Sequence, residues 1–170
     1  FAGCDVISEI IVDADNPYLT SVDGVLYNKA MTELVFYPMS KSIEFNKLPN
    51  TLTSIGPAAL QGHPGLTSIT IPDSVTVIDD YAFANTGLTA IPNLQKVQEI
   101  GDYAFAYTNV KSVEIAEDTT VGKYAFYLNT SLERVVIGEG AIIGEGAFYC
   151  PIQMFTIEEL EPETTSEALS

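Results

Sequence analysis

The sequence predicts a β-rich solenoid with little helix, in which short strands of successive coils align into a parallel sheet. Five copies of one motif support this fold class, each with an aliphatic residue, usually a glycine after it, and a phenylalanine or leucine at its end. The copies are Ile55–Leu60, Ile78–Phe83, Ile100–Phe105, Val121–Phe126 and Ile143–Phe148. Their first residues are 23, 22, 21 and 22 positions apart. A near-constant period of about 20 to 30 residues is typical of proteins built from stacked coils.

Each coil is expected to contribute one strand of alternating apolar residues. The segment Leu66–Ile71 ends in strict alternation, which directs Ser68 and Thr70 to solvent and the isoleucines inward. Pro72 cannot donate a ladder hydrogen bond and should end the strand. The strand of the coil after Phe83 should be shorter, because Pro92 follows early. Inward positions of the later coils are Val110, Val113, Ile115, Leu132, Val135, Ile137, Ile152, Phe155 and Ile157.

The motif phenylalanines are expected to form an internal ladder on the side opposite the sheet. Equivalent positions of successive coils lie about 4.8 Å apart when their strands pair. A single coil cannot bury its own apolar face, so this ladder would hold neighbouring coils together.

The two ends depart from the repeat. Ile7, Ile10 and Val12 fit the strand positions, and Val22–Tyr27 stands in place of the motif. Val22 and Ile55 are 33 positions apart, roughly 11 more than the period, so an insertion is expected around residues 39–46. We therefore predict one solenoid of about seven coils over residues 1–157, followed by an acidic cap or linker over 158–170. The start inside a repeat, without methionine, suggests a piece of a longer protein.

Composition excludes some classes of partner. The 170 residues carry 23 acidic and seven basic side chains, a net charge of −16, which argues against nucleic acid binding. No apolar run approaches the ~18 residues of a membrane span, so we predict no membrane insertion. Cys4 and Cys150 should lie on coils at opposite ends, beyond the ~7 Å Cα separation that a disulfide tolerates. Both are expected as buried thiols.

The repeats resemble the BspA-like family of leucine-rich repeats, found in surface proteins of bacteria. Its consensus runs approximately L-x-x-I-x-I-P-x-S-V-x-x-I-G-x-x-A-F, and Leu66–Phe83 matches closely, apart from Asp79 at the glycine position. Leu60 replaces the phenylalanine of another copy. The resemblance implies a leucine-rich-repeat solenoid and a role in attachment. It implies a protein or glycan ligand and an extracellular or cell-surface location, and it carries no catalytic residues.

Individual candidate sites are few. His63, the one histidine, lies in a Gly-His-Pro-Gly turn with no nucleophile suggested beside it. Asp13–Asn16 lacks the glycine and distal glutamate of a calcium loop, which favours an ordinary acidic turn. No metal cluster or phosphate loop is apparent, so we predict neither enzymatic activity nor a cofactor.

Two surfaces are candidates for binding. Tyr81, Tyr103 and Tyr124 should stack about 5 Å apart, either as an aromatic strip for sugars or as scaffolding, and Tyr107, Tyr127 and Tyr149 lie near the same corner. The exposed sheet face is the usual ligand surface of a solenoid. Its outward residues are predicted to be Glu9, Ile11, Glu33, Val35, Tyr37, Ser68, Thr70, Ser112, Glu114, Arg134, Val136, Met154 and Thr156.

Tyr37 is predicted to be the one large anchor of this face. The leading functional hypothesis is a non-catalytic, adhesin-like interaction module that binds host proteins, other cells or glycans. The alternative is a structural spacer that projects another domain from the cell surface.

Overall fold

The computed structural model describes residues 1, 3–41, 48–91 and 93–150, together with the backbone of 156–159. These residues form a β-solenoid of about five turns, without helix, which confirms the predicted fold class. The strands are β1 Leu19–Val22, β2 Val25–Asn28, β3 Glu33–Phe36, β4 Ser54–Ile55, β5 Val77–Ile78, β6 Glu99–Ile100, β7 Ser112–Ile115, β8 Thr120–Val121, β9 Arg134–Ile137, β10 Ile142–Ile143 and β11 Thr156–Glu159.

The coils stack in the register that the motif predicts. Strands β3, β4, β5, β6, β8 and β10 pair in parallel within one eight-stranded sheet. Its paired positions are the first residues of the motif copies, namely Ile55 with Ile78, Ile78 with Ile100, Ile100 with Val121, and Val121 with Ile143.

The longest sheet differs from the one predicted. It is built from the first residue of each motif copy and the residue before it. The alternating strands form a separate three-stranded sheet of β7, β9 and β11. In the coil of Leu66–Ile71 the side chains alternate as expected, but no ladder forms. The next coil is joined to it there by a bond from the Thr89 amide to the Thr67 carbonyl. That coil reaches Pro92 early, so it offers no full-length partner strand.

The phenylalanines form the predicted ladder. Phe83, Phe105 and Phe126 are fully buried, and their ring centroids lie 5.1 and 5.3 Å apart with nearly parallel planes. Phe148 continues the stack at 5.2 Å but is half-buried. The ring stack thus runs along the solenoid axis and ties each coil to the next.

Residues 19–36 form an antiparallel unit built on a β-hairpin and not a coil. Strands β1, β2 and β3 pair antiparallel, and the two-residue turn Asp23-Gly24 has φ values of 51° and 75°. Asp-Gly with positive φ at both positions is the type I′ turn that closes two-residue hairpins. Strand β3 then pairs in parallel with β4, with Leu34 opposite Ile55, a spacing of 21 residues. The coil from Leu34 to Ile55 therefore has the ordinary length. The additional residues counted between Val22 and Ile55 lie before Leu34, in the hairpin.

Other expectations at the ends are resolved differently. Cys4 is exposed, so the prediction of a buried thiol there is wrong, because the segment around it is not stacked as a coil. Cys150 is half-buried, and both thiols are free. Residues 42–46 of the predicted insertion, Ile152, Met154, Phe155 and residues 160–170 of the acidic tail lie outside the described residues.

Candidate interaction surfaces

The outer face of the three-stranded sheet presents the predicted alternation. On β7 and β9, Val113, Ile115 and Val135 are buried, while Ser112, Glu114 and Arg134 are exposed and Val136 is half-buried. Arg134 Nη1 lies 3.5 Å from Glu114 Oε1, with the two side chains 53% and 60% exposed. Such a solvated ion pair contributes little to stability, about 0 to 1 kcal/mol, so both charges remain accessible to a partner.

The remaining residues of the predicted face do not lie on one sheet. Ser68 and Thr70 are exposed in the coil of Leu66–Ile71, two coils before β7. Glu9 and Ile11 are exposed but lie in no strand, and Ile11 is 83% exposed. Glu33 and Val35 are half-buried on β3, which belongs to the other sheet. The backbone of Thr156 lies on β11.

Tyr37 is buried, so the prediction that it forms an exposed anchor is wrong. Its side chain is 5% exposed, and its amide donates to the Ala59 carbonyl at 2.9 Å. The amide of Leu60 makes the same bond to Ala82 one coil later, and the amide of Phe83 makes it to Ala104 two coils later. Tyr37 therefore lies in backbone register with the ladder positions, and Leu60 occupies the coil between it and Phe83. Burial, with a smaller effect of Tyr27, raises the pKa of Tyr37 to about 12.

His63 supports this buried tyrosine. The imidazole is 1% exposed, its Nε2 lies 3.0 Å from the Tyr37 carbonyl oxygen, and the two rings meet edge-to-face at 5.6 Å. Because a carbonyl only accepts, Nε2–H is the donor. Burial lowers the pKa of His63, against the opposing effect of this hydrogen bond. The histidine therefore serves the packing of the turn against the preceding coil.

The predicted tyrosine strip is a stack. Tyr81 and Tyr103 have centroids 5.0 Å apart and planes 4° apart, and Tyr103 and Tyr124 lie 5.2 Å apart at 23°. All three have φ between 55° and 58°, a left-handed conformation that costs a residue with a Cβ about 1 kcal/mol or more. Gly146 takes the same place in the next copy, with φ of 62°.

A second tyrosine column packs against the first. Tyr127 lies parallel to Tyr149 at 5.7 Å and edge-to-face with Tyr107 at 5.5 Å. The Tyr127 ring also meets Tyr103 and Tyr124 edge-to-face, at 6.1 and 5.6 Å. Among these neighbours, desolvation and the proximity of the other phenols raise the pKa of Tyr103. We call this cluster the tyrosine corner.

A groove of about 480 Å³ opens where the first column ends. It is lined by Tyr103, Tyr124, Tyr127, Glu145, Gly146 and Tyr149. A Cβ on Gly146 would lie 2.4 Å from Tyr124 Cε1, which shows that the Tyr124 ring leans across this glycine. Sequence reasoning missed the groove, although glycine in the tyrosine position of the last copy was a visible signal.

The Asp13–Asn16 segment is the acidic turn that the sequence suggested. Asp13 Oδ1 accepts from the Asp15 amide, and Asn16 Oδ1 accepts from the amides of Tyr18 and Leu19. Within the described ranges, no three histidine, cysteine or acidic side chains converge as a metal site would require. The same ranges contain no helix long and apolar enough to cross a membrane.

A comparison with known protein families identifies the repeats. The BspA type leucine rich repeat region matches residues 29–159 in six copies. No curated protein matches the chain.

Three solved structures share the fold. The pneumococcal vaccine antigen PcpA is 21% identical with a TM-score of 0.71, over 80% of this chain and 37% of its own. A leucine rich cell surface protein from Faecalibacterium prausnitzii A2-165 is 30% identical with a TM-score of 0.71, over 81% and 37% of the two chains. A leucine-rich repeat protein from Bacteroides ovatus is 26% identical with a TM-score of 0.56, over 73% and 35%. The present chain therefore spans little more than a third of each of these proteins.

Proposed function

The chain belongs to the BspA type leucine-rich repeat family of bacterial proteins, and on that premise we propose that it is a non-catalytic interaction module displayed at the cell surface. Its ligand would be a protein or glycan on a host cell or on another microbe. The family is a scaffold for protein interaction. The cell-surface description of the Faecalibacterium relative supports the location proposed for this chain.

The single observation that carries the proposal is the exposed face of β7 and β9. Its inward residues are buried and hold the coils together, so the outward residues are free to vary without loss of fold. Ser112, Glu114 and Arg134 offer a hydroxyl and two opposite charges to solvent. Such a surface forms many weak polar contacts over an extended area, which is typical of solenoid recognition.

A binding panel with charge-reversed variants tests this proposal. The chain would be screened against extracellular-matrix proteins and glycans by surface plasmon resonance. For a genuine partner we expect Glu114→Arg or Arg134→Glu to weaken binding about tenfold or more, because a reversed charge meets a like charge on the partner. Glu139→Arg is the control, since Glu139 is also exposed but lies in a turn off this face.

The structural spacer is the second candidate. The exposed Ser68, Thr70 and Ser112 are small side chains that offer little contact area, which is the observation that favours it. A spacer would show no selective partner across a broad panel. Binding that is equal for wild type and both charge-reversed variants would likewise contradict the proposed sheet-face contact.

A further inference from the structure

We propose that the groove at the tyrosine corner binds a cationic side chain, the guanidinium of arginine or the ammonium of lysine, on a protein partner. The inference rests on the proposed interaction function and gives part of it a defined chemistry. It concerns a different surface from the face of β7 and β9, so the two can be tested separately.

The aromatic rings that line the groove meet in a right-angled corner. Tyr124 and Tyr127 meet at 89°, and Tyr149 lies parallel to Tyr127 at 5.7 Å. Gly146 has no side chain at the column position, so no fourth ring continues the stack beyond Tyr124. Tyr149 is 53% exposed, which leaves its ring accessible from solvent. A cation over the face of a tyrosine ring is attracted by the ring quadrupole.

Charge selects the occupant. Among the described residues, Glu145 is exposed and is the only ionisable group that lines the groove besides the phenols. The same residues place no lysine, arginine or histidine in its lining. The chain as a whole has a net charge of −16, so its field attracts basic partners and repels acidic ones. A carboxylate beside several rings is the combination that recognises guanidinium and ammonium groups.

The lining argues against a sugar at the same place. Orientation of a pyranose requires several placed polar groups around its hydroxyls in addition to a stacking ring. Among the described lining residues, the side chains supply only one carboxylate and the phenol hydroxyls. None of them carries an amide, which can both donate to and accept from a sugar hydroxyl, or a guanidinium, which can donate two parallel hydrogen bonds.

A pair of isosteric peptides tests the proposal. One carries two arginines in a glycine-serine background, and the other carries citrulline in their place, which keeps the shape and removes the charge. Titration of the intact chain by NMR, followed through the tyrosine ring signals, should show binding of the arginine peptide and at least about fivefold weaker binding of the citrulline peptide.

Variants assign the binding to the groove. Tyr149→Leu should weaken binding of the arginine peptide about fivefold, whereas Tyr149→Phe should retain binding because it keeps the ring face. Glu145→Gln should also weaken it. Tyr18→Leu and Glu139→Gln are controls, since Tyr18 is 78% exposed and Glu139 is exposed away from the groove. All four positions are on the surface, and circular dichroism would verify that each of the five variants is folded.

Other outcomes would overturn the proposal. Equal binding of the citrulline peptide, or unchanged binding to Tyr149→Leu and Glu145→Gln, would show that no cation site exists here. Binding of the neutral sugar chitotriose that is lost in Tyr149→Leu, without binding of the arginine peptide, would make the groove a sugar site. If a partner from the panel loses binding only to Glu114→Arg or Arg134→Glu, the proposed interaction function would hold, and the groove would have no part in it.

Discussion

Two adjacent buried side chains, His63 and Tyr37, couple the stability of the first coils to pH in opposite directions. Burial favours the neutral form of each, which lowers the pKa of the imidazole and raises that of the phenol. In the unfolded chain both groups return to ordinary values, near 6.5 and 10. The folded state is therefore favoured between these two values.

His63→Gln should flatten the acid side of the stability profile. As pH falls below about 6.5, the unfolded histidine takes up a proton that the folded one resists, so the free energy of unfolding of the wild type decreases until the lower folded pKa is reached. Glutamine keeps a neutral N–H donor for the Tyr37 carbonyl but does not titrate. Urea unfolding at pH 7.5 and 5.5 checks this, and equal losses of stability in both proteins would contradict it.

Tyr37→Phe should flatten the alkaline side. Between pH 10 and about 12 the unfolded tyrosine loses its proton while the folded one retains it, so wild-type stability is present below pH 10 and is lost across this window. The variant should lose less stability, although Tyr27 nearby also has a raised pKa and retains part of the effect. Urea midpoints at pH 9, 10 and 11 measure the difference. If the midpoints of wild type and variant fall in parallel, titration of the buried Tyr37 phenol does not cause the alkaline loss of stability.

The phenylalanine ladder is the element on which coil stacking depends. Phe105 is fully buried between Phe83 and Phe126, whereas Phe148 is half-buried at one end of the stack. Phe105→Ala should lower the free energy of unfolding by about 3 to 5 kcal/mol, because it leaves a cavity between two coils. Phe148→Ala is the matched control and should cost clearly less. Denaturant unfolding would show this order, and equal costs would contradict a continuous stack.

The hairpin turn depends on its glycine in a testable way. Gly24 has φ of 75°, and a Cβ there would lie 2.7 Å from Glu9 Cβ. Gly3 has φ of 79° but no atom within 4 Å of a Cβ. Gly3→Ala should therefore cost only the backbone strain, about 1 to 2 kcal/mol, and Gly24→Ala should cost about 1 kcal/mol or more in addition from the clash. Thermal unfolding would compare them, and equal shifts would show that the contact is absent.

The sequence predicted the elements wherever the repeat itself determined them. The spacing of Ile78, Ile100 and Val121 set the register, because one period of sequence equals one coil. The sequence did not predict the burial of Tyr37. Whether this side chain faces the core or solvent depends on whether Leu34 is assigned to the alternating strand or to the first position of the motif. Only the pairing of Leu34 with Ile55 decides this. The Asp23-Gly24 turn was a local signal for the hairpin that the search for repeats obscured.

The candidate surfaces were predictable to different extents. The Tyr81, Tyr103 and Tyr124 stack followed from equivalent positions on successive coils. The groove did not, because it depends on how Tyr127 and Tyr149 of the second column turn toward the first. Side-chain orientation between columns is a matter of packing that a repeat pattern does not contain.

From β3 to β10 the described residues form a stack in which each coil contacts its neighbours along one axis. Hydrogen bonds pass from one coil to the next in register, as from the amides of Phe83 to Ala104 and Phe105 to Ala125. Stability is then a sum of coil and interface contributions, and the outward surfaces are repeated along the stack. The face of β7 and β9 follows from this arrangement, since it consists of equivalent positions on paired strands, and the groove lies where Gly146 ends the first tyrosine column.

Ring-to-ring nuclear Overhauser effects among specifically labelled phenylalanines test the stacking most directly. Phe83 and Phe126 each have centroids little more than 5 Å from Phe105, so ring protons should show contacts for both consecutive pairs. Phe83 and Phe126 are two coils apart, about 10 Å, and should show none. Absence of the consecutive contacts, or a direct contact between Phe83 and Phe126, would contradict the solenoid and both surfaces derived from it.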